Sequence, residues 1–213
     1  MQAQLPSGVR APLQARSRKT FDDILKATEA LMNTKSWVDI TVMDIVNAAN
    51  CTVGSFYARF DDKNAVLVCL SEQLSKDVED DSASYESLSA SSSIEQVVTQ
   101  LVDQLTDVYQ RRIGLIRTLT LLPRLNRDQS LQGDGLRTAR VFRGLVDMFV
   151  ALGASRECAE VGLFFVVNAI RERVLFSEIS KHMIDVEYDR FSRGLVIAFI
   201  SYLDSESFSG DSA

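Results

Sequence analysis

Histidine, cysteine and proline are scarce in this chain, and long hydrophobic runs are missing. One histidine, His182, occurs in 213 residues, beside three cysteines and three prolines. Any Ser-His-Asp site would have to use His182, which lies in a polar segment, and no strand-turn-helix nucleophile elbow precedes a serine. The HExxH, paired CxxC and P-loop patterns are absent from the sequence. No catalytic residue, metal or cofactor is expected, and the chain reads as a non-enzyme. Cys51, Cys69 and Cys158 are odd in number and widely separated. That excludes a full set of disulfides within one chain and fits buried thiols in a reducing cytoplasm. Prolines stand only at 6, 12 and 123, so none forbids helix between Pro12 and Pro123. The longest uncharged apolar stretches, Val161–Ile170 and Gly194–Leu203, have ten residues each, against about 20 for a bilayer crossing. No membrane partner is expected. The first twenty residues also lack the apolar centre of a secretory signal.

What is present is an ordinary globular composition. Apolar residues make up 46% and charged residues 24%, which excludes whole-chain disorder. The length suffices for one domain or two small ones. Net charge is -6, which argues against nucleic-acid binding by the whole surface. The charge is uneven, however. Residues 1–63 hold 8 basic and 7 acidic side chains, and residues 64–213 hold 15 and 22. Arg10, Arg16, Arg18 and Lys19 precede the first acid. Any polyanion is therefore expected at the N-terminal end.

Periodicity points to helix nearly throughout. Residues 1–15 are expected to form a disordered basic arm. Helical spacing of Phe21, Ile24, Leu25, Thr28, Leu31 and Met32 predicts a helix over 17–33. Thr41 with Asp44 three residues later has the form of a capping box opening a helix over 42–49. Asn50 tolerates the left-handed conformation of a helix stop. Thr52 caps a helix over 53–60, and Asp61 caps one running to about residue 80. The serine-rich stretch 82–93 reads as a loop. Further helices are expected over 94–109, 112–122 (stopping near Pro123), 136–152, 155–179 and 185–203, with a loop over 124–135. No strand-like alternation stands out. A flexible tail is expected over 205–213.

The informative segment is Thr41–Leu67. Two short helices joined by Asn50-Cys51-Thr52 satisfy the helix-turn-helix pattern. Ile45, Val46 and Ala49 on the first and Phe56 and Phe60 on the second face inward, with helix 17–33 as third wall and Trp37 as a lid. Outward stand Thr52, Val53, Ser55, Tyr57 and Arg59: hydroxyls, methyls, a phenol and a guanidinium. Such a face fits a major groove, where it can touch a thymine methyl and hydrogen-bond base edges or phosphates. Lys63, in the first turn of the next helix, is placed for a phosphate.

This segment resembles the DNA-binding domain of the tetracycline-repressor (TetR/AcrR) family of bacterial regulators. The match rests on Thr41, Ile45, Ala49, Thr52, Gly54, Phe56, Tyr57, Phe60, Lys63 and Leu67, with Phe21, Ile24, Ala27, Leu31 and Trp37 upstream. It covers about residues 16–70. Asn50 stands where the family has a turn Gly, Cys51 where it has Val, Val46 where it has Ala, and Arg59 where it has His or Tyr. The resemblance implies DNA contacts at Val42, Met43, Thr52, Val53, Ser55, Tyr57, Arg59 and Lys63, those at Val42 and Met43 being apolar or through backbone. It also implies an all-α fold of about nine helices: a head domain over 16–62 and a ligand-binding and dimerisation domain over 63–204.

The C-terminal part carries no motif. Residues 161–179 are apolar nearly all round and so must be covered on several sides. Tyr188, Phe191, Leu195, Ala198 and Tyr202 form a stripe on the last helix, widened by Val196, Phe199, Ile200 and Leu203. Two such helices suit an isologous homodimer, and in the family they form its four-helix bundle. Tyr109, Arg117, Phe142, Phe149, Phe165, Asn168 and Arg171 are candidate ligand-binding residues in a mostly apolar cavity. The expected function is a ligand-responsive regulator, most simply a repressor released from a palindromic double-stranded DNA operator by a small hydrophobic effector. The alternative is a helical ligand-binding or adaptor protein that has lost DNA binding, to which Asp61 and Asp62 beside Lys63 give weight.

Overall fold

A computed structural model describes residues 6–10, 15–89, 93–125 and 134–205. All the regular elements among them are helices: α1 (Ala15–Met32), a 3-10 turn (Trp37–Asp39), α2 (Val42–Ala48), α3 (Val53–Tyr57), α4 (Lys63–Ser89), α5 (Ile94–Arg111), α6 (Ile113–Leu125), α7 (Asp134–Ala151), α8 (Arg156–Leu175), α9 (Ser177–Ser180) and α10 (Tyr188–Ser205). That is ten α-helices, against the nine or so expected. No described helix is long and apolar enough to cross a membrane.

Several boundaries depart from expectation for physical reasons. The serine-rich stretch is not a loop as far as it is described: α4 continues through Ser89. Serine is only a mediocre helix former, and α4 contains no glycine or proline to stop it. Likewise α6 passes Pro123 and ends at Leu125, because a proline near the last turn removes only one N–H donor. Asp134 and Gly135 lie in α7 rather than in a loop, while residues 126–133 and the tail beyond Ser205 lie outside the described residues. Asp62, not Asp61, caps α4, accepting from the Ala65 amide at 2.8 Å. The long C-terminal helix divides at Phe176 into α8 and α9. The arm was expected to be disordered, yet Gly8–Arg10 pairs with the chain after α3. Val9 forms an antiparallel bridge with Phe60; the Arg10 amide donates to Arg59 O at 2.8 Å and the Asp61 amide to Gly8 O at 3.0 Å.

The chain divides into two compact units, residues 1–76 with 112–134, and 77–111 with 135–213. In the first, Phe21, Ile24, Leu25, Trp37, Ile40, Ile45, Phe56, Phe60, Leu67 and Leu70 share one buried cluster. Phe21 stacks on Phe60 with ring centroids 5.0 Å apart. Each such side chain contributes roughly 1.5–3 kcal/mol by leaving water. Helix α6 packs against α1, and Arg112 pairs with Glu29 at 2.7 Å. In the second unit α5, α8 and α10 pack on one another. Val98, Leu101, Phe149, Leu163, Ile170 and Phe199 are buried there.

Close approach of α6 to α1 depends on Gly114. A Cβ at that position would lie 2.4 Å from the carbonyl carbon of Met32 and 2.5 Å from its oxygen, and backbone cannot swing aside. Gly114→Ala is expected to cost about 3 kcal/mol, seen as a lower urea midpoint at unchanged m-value. Gly144→Ala, in α7 with open space around it, should instead leave stability unchanged or raise it by up to ~1 kcal/mol.

Candidate nucleic-acid interface

Local chemistry sets both helices of the head. Thr41 and Asp44 form the reciprocal capping box: the Asp44 amide donates to Thr41 Oγ1 at 3.1 Å and the Thr41 amide to Asp44 Oδ2 at 2.9 Å. Lys35 adds a third donor at 3.0 Å to Oδ1. The Thr41 backbone bond, then Lys35 and the Thr41 hydroxyl, lower the Asp44 pKa from 3.8 to about 2. Asn50 turns the chain at φ 49°, alone among described non-glycine residues in that region. Thr52 then caps α3, accepting from the Ser55 amide at 3.0 Å and donating to Ser55 Oγ at 2.9 Å.

At its other end α3 is held by a guanidinium. Arg59 donates from Nη1 to Ser55 O at 2.5 Å, and from Nε and Nη2 to the backbone and hydroxyl oxygens of Ser17, both at 3.2 Å. Lys63 also turns inward. Its ammonium donates to Trp37 O at 2.9 Å and Ile40 O at 2.7 Å, closing the 3-10 turn. It lies 5.0 Å from the Trp37 ring centroid. Burial pulls its pKa down, opposed by nearby Asp39.

The eight residues expected to contact DNA therefore divide. Met43, Thr52, Val53 and Tyr57 are exposed, and Met43, Val53 and Tyr57 keep 54%, 40% and 48% of their surface free. Val42 is half-buried against the core. Ser55 is half-buried and bonded to Thr52. Arg59 and Lys63 are occupied within the head, and no sequence periodicity could have announced their partners. Beside Gly54 the nearest atom to an added Cβ is Thr52 Oγ1 at 3.9 Å, so backbone is open to approach. What faces outward on α2 and α3 is thus methyl, thioether, phenol and hydroxyl, with the Asn47 carboxamide beside them on α2.

The candidate ligand residues also separate. Arg171 donates to Asn168 within α8 and lies near Tyr109, whose pKa is raised by burial and partly lowered again by Arg171. Phe149 is core, edge-on to Phe199 at 5.1 Å. Phe142 is half-buried on α7, Arg117 half-buried on α6, and Phe165 is 61% exposed. A pair not anticipated from sequence joins Thr106 to Tyr188 hydroxyl to hydroxyl at 2.5 Å.

The two inward electrostatic anchors are separately measurable. Asp44 has a folded pKa below its unfolded value, so its contribution is full above about pH 3.8 and lost as pH falls through about 2. Asp44→Asn should lower the melting temperature at neutral pH, and the difference from the parent should close across that acid window. Lys63→Met takes the ammonium from the Ile40 carbonyl and leaves Trp37 O with only the Ile40 amide, at 3.3 Å; it should cost roughly 1–3 kcal/mol, measured by urea denaturation.

Residues 24–68 match the family model described as bacterial regulatory proteins, tetR family. No curated protein matches the chain by sequence. Among solved structures it is similar to a protein described as a TetR-family transcriptional regulator from Mesorhizobium loti MAFF303099, at 17% identity and TM-score 0.67, over 90% of this chain and 98% of that one. A protein from Rhodococcus sp. with the same description aligns at 16% identity and TM-score 0.62, over 88% and 98%. One described as a fatty acid metabolism regulator from Clostridium perfringens aligns at 13% and 0.60, over 85% and 97%. At these identities the likeness is one of fold. Residues 24–68 are thus similar to the tetR family of bacterial regulatory proteins, and the chain shares the fold of these solved structures over 85–90% of its length.

Proposed function

We propose that the protein is a homodimeric cytoplasmic transcription regulator that lays α3 in the major groove of a near-palindromic operator and is released from it by a small hydrophobic effector. The observation that carries this reading is the amphipathic build of α3: Phe56 fully buried on one side, Val53 and Tyr57 exposed on the other. Two-fold symmetry of the protein demands the same of its DNA. Release follows if the effector favours a dimer conformation that spaces the heads wrongly, since a ligand shifts an equilibrium only by its differential affinity. The ligand-binding candidates are those on α5 and α8 that cluster, Tyr109, Asn168 and Arg171. Pairing through α8 and α10 is supported by Phe164 and Phe165, 58% and 61% exposed on α8, and Ile197, 66% exposed on α10. Apolar side chains left so open in a single chain mark an association face.

With Arg59 and Lys63 occupied, base reading falls to apolar contact with thymine methyls and to hydroxyls rather than to a guanidinium on guanine. The same occupation favours a second reading, the adaptor without DNA binding. Gel shift on selected oligonucleotides separates the two. Under the regulator reading a palindromic sequence is retarded, and Tyr57→Ala weakens binding about tenfold. Replacing contacted thymines by deoxyuridine weakens it measurably. Phe165→Glu gives a monomer by light scattering and no stable complex. A folded dimer that shifts no selected sequence favours the adaptor.

A further inference from the structure

We propose that Arg10 is a positioning residue for DNA recognition: the arm Gly8–Arg10 clasps the C-terminal end of α3 and fixes the angle at which that helix is presented. The inference rests on the DNA-binding reading above, but its geometric basis is separate.

A helix leaves its last carbonyls without intrahelical donors, and in a five-residue helix that is most of them. In α3, Gly54 O accepts from the Ala58 amide, and Phe56 O from the Arg59 and Phe60 amides. Ser55 O is taken by Arg59. Tyr57 O accepts from Arg10 Nη1 at 2.7 Å. The other arm of the same guanidinium reaches Asp61 Oδ1 at 2.5 Å. One cation thus closes the negative end of α3 and neutralises the acid that follows it. Backbone makes the contact directional, through the Arg10 amide to Arg59 O and the Asp61 amide to Gly8 O.

Gly8 is what lets the arm lie there. Its φ is +78°, which L side chains rarely adopt, and a Cβ would meet Ala65 Cβ at 3.3 Å and Asp61 Oδ2 at 3.4 Å. Arg59 ties the same helix end to α1 through Ser17. Two guanidiniums therefore take carbonyls of α3, Arg59 that of Ser55 and Arg10 of the arm that of Tyr57. Arg10 acts on DNA through Tyr57 and Asp61, not by touching a phosphate.

Two charge-conserving variants test this, Gly8→Ala and the double exchange Arg10→Gln with Asp61→Asn, measured against the parent on a selected operator at several salt concentrations. Both should bind about tenfold more weakly with an unchanged slope of log K against log salt. Hydrogen exchange supplies the readout independent of DNA: the Arg10 and Asp61 amides are protected in the parent and lose protection in Gly8→Ala, while α1 and α4 keep theirs. The clasp is overturned if those two amides exchange freely in the parent, or if Gly8→Ala frees them and still binds DNA like the parent. A slope reduced by about one in the Arg10→Gln, Asp61→Asn protein would make Arg10 a direct phosphate contact instead. A parent that shifts no DNA while both amides are protected sinks the DNA-binding reading and leaves the clasp as a structural feature alone.

Discussion

A helix of five residues has too few internal hydrogen bonds to hold itself, since nucleation fixes several residues before the first bond forms. The head of this protein is organised around that deficit. Thr52 satisfies amides at the start of α3. Arg59 and Arg10 take carbonyls at its end. Phe56 and Phe60 pin it to α1 through the stack with Phe21. Because each anchor lies on the inward side or at an end, the outward side of α3, with Val53 and Tyr57, is not needed to hold the helix.

The same logic explains where the charge goes. A head meant for a polyanion would be expected to spend its cations on phosphates, yet Lys63 closes the 3-10 turn over Trp37 and Arg59 reaches back to Ser17. Of the two acids that follow α3, one is paired with Arg10 and the other caps α4. Asp61 and Asp62, which looked adverse to DNA binding, are part of the framework. The outward face that remains on α3 is uncharged: Thr52, Val53 and Tyr57 stand open there.

In the second unit, α5, α8 and α10 enclose a core in which Phe149 and Phe199 meet edge to face. Gly162 on α8 is what admits Phe199: a Cβ there would lie 2.2 Å from that ring. With the small residue inward and the aromatics Phe164 and Phe165 exposed, the middle of α8 carries apolar side chains on both its buried and its open face.

The all-α character, the turn at Asn50, the Thr41–Asp44 box and the inward set Ile45, Val46, Phe56 and Phe60 were legible in the amino-acid order alone. Each depends on residues within one or two helical turns, where spacing fixes which side chains meet. Element ends were less legible. Ser82–Ser89 and Pro123 carry weak or one-bond penalties that continuing the helix outweighs, so composition alone misjudged them. What only the tertiary structure decided is which polar side chains are free. Arg59 meets Ser17 across 42 positions, Lys63 meets Trp37 across 26 and Arg10 meets Tyr57 across 47. A side-chain cation has no periodicity to betray its partner, and only the folded chain brings an acceptor within its reach.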